Sequence, residues 1–187
     1  MKIVDMVESQ IIATVKRPSD IEMAITSNAN MVFLLTGDLL TMEGYIRQLK
    51  DVGKSVFLHL DFIEGLSAQK SAIEFIAEKW RPDGIITTKV HMIKLAKQNN
   101  LLTIQRLFLL DQNAFDNGVK MVKKCQPDAV EVLPALMPKV IDQLTMKIKQ
   151  PLIVGGLISS KKEIIEAIEA GALAASASSP HLWSLDI

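Results

Sequence analysis

Two stretches near the carboxyl end of the chain have the composition of an anion cradle. Ile153-Val154-Gly155-Gly156-Leu157-Ile158 carries a glycine pair directly after an aliphatic run. Glycine lets the backbone approach a ligand closely and turn its N–H groups toward it. Ala174-Ala175-Ser176-Ala177-Ser178-Ser179-Pro180-His181 ends another such run and opens a short helix. Small residues before a helix offer hydroxyls, free N–H groups and the positive end of the helix dipole. Gly155, Gly156, Ser176, Ala177 and Ser178 are therefore the expected phosphate contacts. A glycine pair alone is also an ordinary tight turn, and serines alone are ordinary caps. The two features in this order favour a dianion.

Five further polar residues stand at the ends of aliphatic runs: Lys16, His59, Asp61, Arg106 and Glu131. Strand alternation puts Thr14 and Lys16 on one face, and Phe57, His59 and Asp61 on one face. Glu131 lies between Val130 and Val132, so in a buried strand it must face something polar. Carboxylates here would accept hydrogen bonds from ligand hydroxyls, and Lys16 or Lys89 would answer phosphate charge. His59 reads equally well as a core histidine. Nothing supports Lys89 as a Schiff base. The chain has no GxxxxGK[ST] loop, HExxH or paired CxxC, and Cys125 falls at a helix end away from the other candidates. No catalytic residue, metal ligand or cofactor is assigned.

The elements that must position these residues alternate regularly. Aliphatic or β-branched runs at 11–15, 31–35, 56–60, 84–87, 102–106, 129–133, 152–155 and 173–176 read as strands, and 20–27, 41–51, 69–78, 91–98, 114–124, 138–146 and 161–170 as helices. Ser19-Asp20-Ile21-Glu22 and Ser160-Lys161-Lys162-Glu163 match capping boxes, while Gly53 and Gly171 stand where left-handed caps belong. Trp80-Arg81-Pro82-Asp83-Gly84 and Cys125-Gln126-Pro127-Asp128-Ala129 form a faint repeat, with Pro ending each preceding helix. The pattern predicts a compact (β/α)8 TIM-type barrel with short loops, one α/β domain over residues 1–187. At roughly 21 to 23 residues per unit, eight units just fit. An open doubly wound sheet is the alternative, but Lys16-Arg17-Pro18 follows the first strand where a glycine-rich dinucleotide turn would stand.

Composition narrows the classes. The chain has 187 residues, 49% of them hydrophobic, and its 21 Lys+Arg balance 21 Asp+Glu. That excludes a disordered chain and offers no overall cationic surplus for a polyanion. A single cysteine suits a reducing compartment, the acidic start lacks a signal-peptide pattern, and no window approaches a membrane span. A cytoplasmic protein without membrane contact is expected.

Several motifs resemble one bacterial family. They are Ile12-Ala13-Thr14-Val15-Lys16, Phe33-Leu34-Leu35-Thr36-Gly37-Asp38, His59-Leu60-Asp61-Phe62-Ile63-Glu64-Gly65, Pro82-Asp83-Gly84-Ile85-Ile86, the run Leu102 to Asp111, Val130-Glu131-Val132-Leu133-Pro134 and Val154-Gly155-Gly156-Leu157-Ile158. The family is the glycerol-3-phosphate-responsive antiterminators, the glycerol uptake operon regulators, and the likeness runs through nearly the whole chain. It implies a regulator, not an enzyme, that senses glycerol 3-phosphate and lets transcription pass a terminator in leader mRNA of glycerol-utilisation genes. It also implies a compact barrel. The family's last strand ends in a Ser-Thr-Ser-like stretch, so Ala177 lacks one hydroxyl. Lys94, Lys97, Lys120, Lys123, Lys124, Lys147, Lys149, Lys161 and Lys162 are the cations on outer helices and loops, and such lysines usually mark solvated faces. No RNA-binding residue is named, and a homo-oligomer would double a weak basic patch. The alternatives are an enzyme acting on a glycerol or triose phosphate and a sensor that works through a protein partner.

Overall fold

The computed structural model describes residues 2–187. Eight parallel strands close in chain order into a barrel: β1 (Ile11–Val15), β2 (Met31–Leu34), β3 (Ser55–His59), β4 (Gly84–Thr87), β5 (Leu102–Phe108), β6 (Ala129–Leu133), β7 (Leu152–Gly155) and β8 (Ala174–Ala177), with β8 pairing back onto β1. The connections carry α2 (Ile21–Thr26), α3 (Met42–Asp51), α4 (Lys70–Phe75, continued as a π-helical segment to Trp80), α5 (Val90–Gln98), α6 (Gln112–Cys125), α7 (Pro138–Thr145) and α8 (Lys161–Glu169). The closed barrel, not the open sheet, is the architecture.

Strand alternation divides the apolar residues into two cores. Ile11, Ala13, Val15, Val32 and Leu34 face outward beneath the helices. Ile12, Phe33, Phe57, Ile86, Ile104 and Ile153 face inward. Inside a narrow aliphatic barrel two aromatic rings need room. Phe33 and Phe57 meet edge to face at 6.0 Å, and a Cβ on Gly84, the register partner of Phe57, would lie 2.4 Å from the Phe57 ring.

A short helix absent from the sequence reading, α1 (Ile3–Met6), precedes β1. Its Ile3 and Met6 join the inward core and stop the N-terminal mouth of the barrel. Two apolar residues three apart are too few for a periodic signal.

Ser160 forms the expected capping box: its amide donates to Glu163 Oε2 at 3.0 Å and its hydroxyl accepts from the Glu163 amide. The one expected at Ser19 is not made. Pro18–Asp20 is a 3₁₀ turn, and Asp20 instead takes two hydrogen bonds of 3.0 Å from the Arg17 guanidinium, a charge-assisted contact stronger than a neutral cap. Gly53 and Gly171 have positive φ, as a left-handed cap requires. The faint repeat has a structural basis. Arg81 and Gln126 are both left-handed after a helix end. The following Asp83 and Asp128 accept the amides of Val56 and Thr103 at 2.8 Å, clamping the start of the preceding strand.

Candidate functional site

Inward positions at the C-terminal ends of the strands change character. Thr14, His59, Arg106, Glu131 and Ser176 occupy them, all buried, directly above the apolar column. Burying so many polar groups is tolerable only if they answer one another or a ligand.

Glu131 organises one side. Its Oε2 accepts Arg106 Nε at 2.6 Å and its Oε1 accepts the Ser176 hydroxyl at 2.6 Å. Arg106 and Glu131 are register partners on β5 and β6, so the sheet itself sets the pair. Both charges are desolvated, and the pair depends on good geometry with further hydrogen bonds. A guanidinium carries five N–H donors, and the hydrogen bond to Glu131 uses only the one on Nε. The terminal nitrogens of Arg106 make no hydrogen bond to the described residues.

Gly155 makes that arrangement possible. A Cβ there would sit 2.3 Å from Ser176 Oγ and 3.1 Å from Glu131 Oε1. The missing side chain is therefore required by the Ser176–Glu131 hydrogen bond. Gly156, with φ of +79°, turns the chain over the rim, and the following Leu157 is also left-handed.

Thr14, Lys16, Arg106, Glu131, Gly156, Ser176 and Ser178 meet around one cavity of about 80 Å³, with Leu35, Leu133 and Leu157 on its walls. Four other expected contacts do not line it. Gly155 lies behind Ser176 and Glu131. The Ala177 methyl belongs to the outward core, and its carbonyl accepts Trp183 Nε1 at 2.7 Å. A hydroxyl at position 177 would therefore sit among helices, because alternation turns it away from the interior. The expected helix after β8 is a single 3₁₀ turn, Pro180–Leu182, too short to supply an appreciable dipole.

His59 and Asp61 are the other two. Neither ring nitrogen of His59 has a hydrogen-bond partner, nor has Thr14 Oγ1. Burial first, then the neighbouring Arg106 guanidinium, pushes the His59 pKa down to about 3, so the ring is neutral near pH 7. Its 3.8 Å separation from Asp61 is accordingly not an ion pair, and it is too long for a hydrogen bond. Asp61 lies in the 3₁₀ turn Leu60–Phe62 beyond β3, its side chain partly exposed. Lys89 Nζ stands 2.9 Å from Oδ1, and the Thr88 amide and hydroxyl donate to Oδ2 at 3.1 and 3.2 Å. Burial alone would raise the Asp61 pKa, but these donors outweigh it and leave it below the ordinary carboxylate value. Asp61 and Lys89 line a separate cavity of about 90 Å³.

Thr14, Leu35, Leu133 and Leu157 line the cavity and are not among the candidates the sequence offers. Alternation already placed Thr14 beside Lys16, and its neighbours across the sheet were what was lacking. No local signal marks Leu157. Among the described residues no group of three or more His, Cys, Asp or Glu could hold a metal ion, and no helix is long and apolar enough to cross a membrane.

The fold and site define a compact (β/α)8 barrel with a cationic, hydroxyl-lined cup at the C-terminal ends of its strands. The chain belongs to the glycerol-3-phosphate responsive antiterminator family, which it matches over residues 11–183. It is 37% identical to the uncharacterised protein YgcP of Escherichia coli K12 over 95% of this chain and 93% of that one. A glycerol uptake operon antiterminator regulatory protein from Listeria monocytogenes superposes with a TM-score of 0.90 at 34% identity, covering 94% of this chain and 95% of that one. A glycerol uptake operon antiterminator-related protein from Thermotoga maritima gives 0.82, also at 34% identity, over 92% and 96%.

Proposed function

We propose that the cup binds glycerol 3-phosphate and that its occupancy gates action on leader mRNA of glycerol-utilisation genes. One observation carries the reading: a buried arginine keeps unengaged N–H donors on the wall of a cavity that also holds Lys16, Ser178 and the Gly156 turn. A phosphate would complete the guanidinium fork bidentately, and polyol hydroxyls are the natural partners of Thr14 Oγ1. The family supplies the antitermination context.

An enzymatic reading on a glycerol or triose phosphate has less support. Both Glu131 oxygens are occupied, Asp61 is held by Lys89 and Thr88, and His59 is neutral far below its usual titration range. Neither Asp61 nor His59 is poised near neutrality, where a general base works best.

The test is calorimetric titration of glycerol 3-phosphate, followed by affinity for the leader transcript with and without it. Arg106→Lys keeps the charge opposite Glu131 but loses the planar fork, and about tenfold weaker effector binding is expected. Gly156→Val forces a β-branched residue into a left-handed turn against Leu133 and should also weaken binding sharply. Unchanged affinity in both folded variants would place the ligand elsewhere. Equal RNA affinity with and without effector would remove the gating, since linkage requires each ligand to tighten the other.

A further inference from the structure

Charge on this chain is balanced in total but not in place. Residues 84–162 hold twelve of the 21 Lys and Arg but five of the 21 Asp and Glu. Four of those five carboxylates are engaged: Glu131 by Arg106 and Ser176, Asp128 by the Thr103 amide and hydroxyl, Asp111 by the Ala114 amide, Asp116 by the Gln112 side chain. The cations also gather at one end. Helices of a parallel barrel run back against the strands, so α5, α6 and α7 end at the N-terminal mouth. Lys97 lies in the last turn of α5, Lys123 and Lys124 in that of α6, and Lys147 and Lys149 between α7 and β7. All five are exposed. Among the described residues none of them is in an ion pair, whereas Lys50, Lys70, Lys89 and Lys162 elsewhere are. A cation at a helix C-terminus ordinarily answers the macrodipole, but three helix ends account for fewer than five.

A hollow of about 400 Å³ opens among them, lined by Lys2, Lys97, Lys149, Gln126 and Gln150, with apolar walls from Pro127, Pro151 and the start of α1; its one carboxylate, Asp128, is already taken by the Thr103 amide and hydroxyl. Lys97 Nζ is steadied by the Gln126 carbonyl at 2.5 Å, and Gln150 by the Gln126 side chain at 3.2 Å. From this geometry we infer that this sector of the N-terminal mouth is the RNA-contacting surface, holding the phosphodiester backbone of a single-stranded segment. The inference rests on the antitermination reading above and adds the surface that reading lacks. Ammonium groups displace condensed counterions from the backbone, and the glutamine amides offer donors and acceptors to base edges. No aromatic ring lines the hollow, so stacking adds little and the binding is strongly salt-dependent. The acid excess on the rest of the chain repels a polyanion and confines it to this sector. The sector lies at the opposite mouth from the cup, so RNA and effector do not compete for space.

The test uses the full chain with two probes, the leader transcript and an oligouridine of similar length, titrated over a range of salt. Lys97→Gln/Lys149→Gln should bind RNA about tenfold more weakly near physiological salt, with a log–log salt slope shallower by about 1.4, or ~0.7 per lost contact. Its glycerol 3-phosphate affinity should be unchanged. Lys161→Gln/Lys162→Gln, the same charge change at the opposite mouth, should leave RNA affinity intact. If the wild type binds the leader and Lys97→Gln/Lys149→Gln matches it in affinity and slope, this surface is wrong while the antitermination reading stands. If both probes weaken alike in that variant and the wild type shows neither leader preference nor effector dependence, the surface stands and the antitermination reading falls. If the wild type binds neither probe at low salt, both fall and the sector is left to an acidic protein.

Discussion

Two carboxylates share the C-terminal rim and are treated in opposite ways. Glu131 is wholly buried, and its partner Arg106 is left with N–H donors facing a cavity. Asp61 is partly exposed and matched by Lys89 and Thr88. The first arrangement holds a net capacity to bind an anion. The second is closed upon itself. Asp61 follows one strand-like run and Glu131 lies within another, and residue type does not separate them; the donors around each carboxylate do.

The contrast is most forcefully broken at Arg106. Arg106→Leu leaves Glu131 charged and unpaired in the interior, and a loss of about 3–5 kcal/mol of stability is expected in denaturant titration. A loss under ~1 kcal/mol would mean that the pair is far better hydrated than its burial implies. Next is Gly155→Ala, whose methyl must displace Ser176 from Glu131. Overpacking of this kind costs about 1–3 kcal/mol. The cost should shrink in a Ser176→Ala background, and strict additivity of the two changes would argue against the steric account.

His59 sharpens the comparison through pH. Its folded pKa, about 3, lies below the usual histidine value of roughly 6.5. Between those values the unfolded chain binds a proton that the folded chain does not. Stability therefore falls as pH is lowered through that window, by up to about 1.4 kcal/mol per pH unit. His59→Gln should remove this component between pH 6.5 and 5, above most carboxylate titration, and parallel wild-type and variant profiles would contradict it. The smallest effect is expected at Lys89→Met. Lys89 is largely solvated and Asp61 keeps its Thr88 donors, so under ~1 kcal/mol should be lost, with glycerol 3-phosphate binding unaffected in calorimetry.

Much of the fold was legible because its signals are local. Each strand is a short aliphatic run, and the Gly53, Gly171 and Ser160 helix boundaries depend on residues within one turn. The exceptions were decided by partners. Ser19 met a competing Arg17–Asp20 contact, and α1 exists because Ile3 and Met6 find the open floor of the barrel. For the site, alternation pairs Thr14 with Lys16, and the polar strand ends point to Arg106, Glu131 and Ser176; all five line the cavity. It did not separate Gly155, which makes room for a hydrogen bond, from Gly156, which borders the cavity. Nor does it show that Ala177 faces outward, since β8 runs one residue beyond the aliphatic stretch. Those distinctions are set by cross-strand register, which one sequence does not encode locally.

Trp183 is fully buried, and its indole donates to the carbonyl of Ala177, one residue from Ser176 on the same strand. Strand β8 thus touches the cup with one side chain and an intrinsic fluorophore with the next carbonyl. In a Trp80→Phe background the emission of this single indole becomes an optical gauge of the rim, readable without a label and during a mixing experiment.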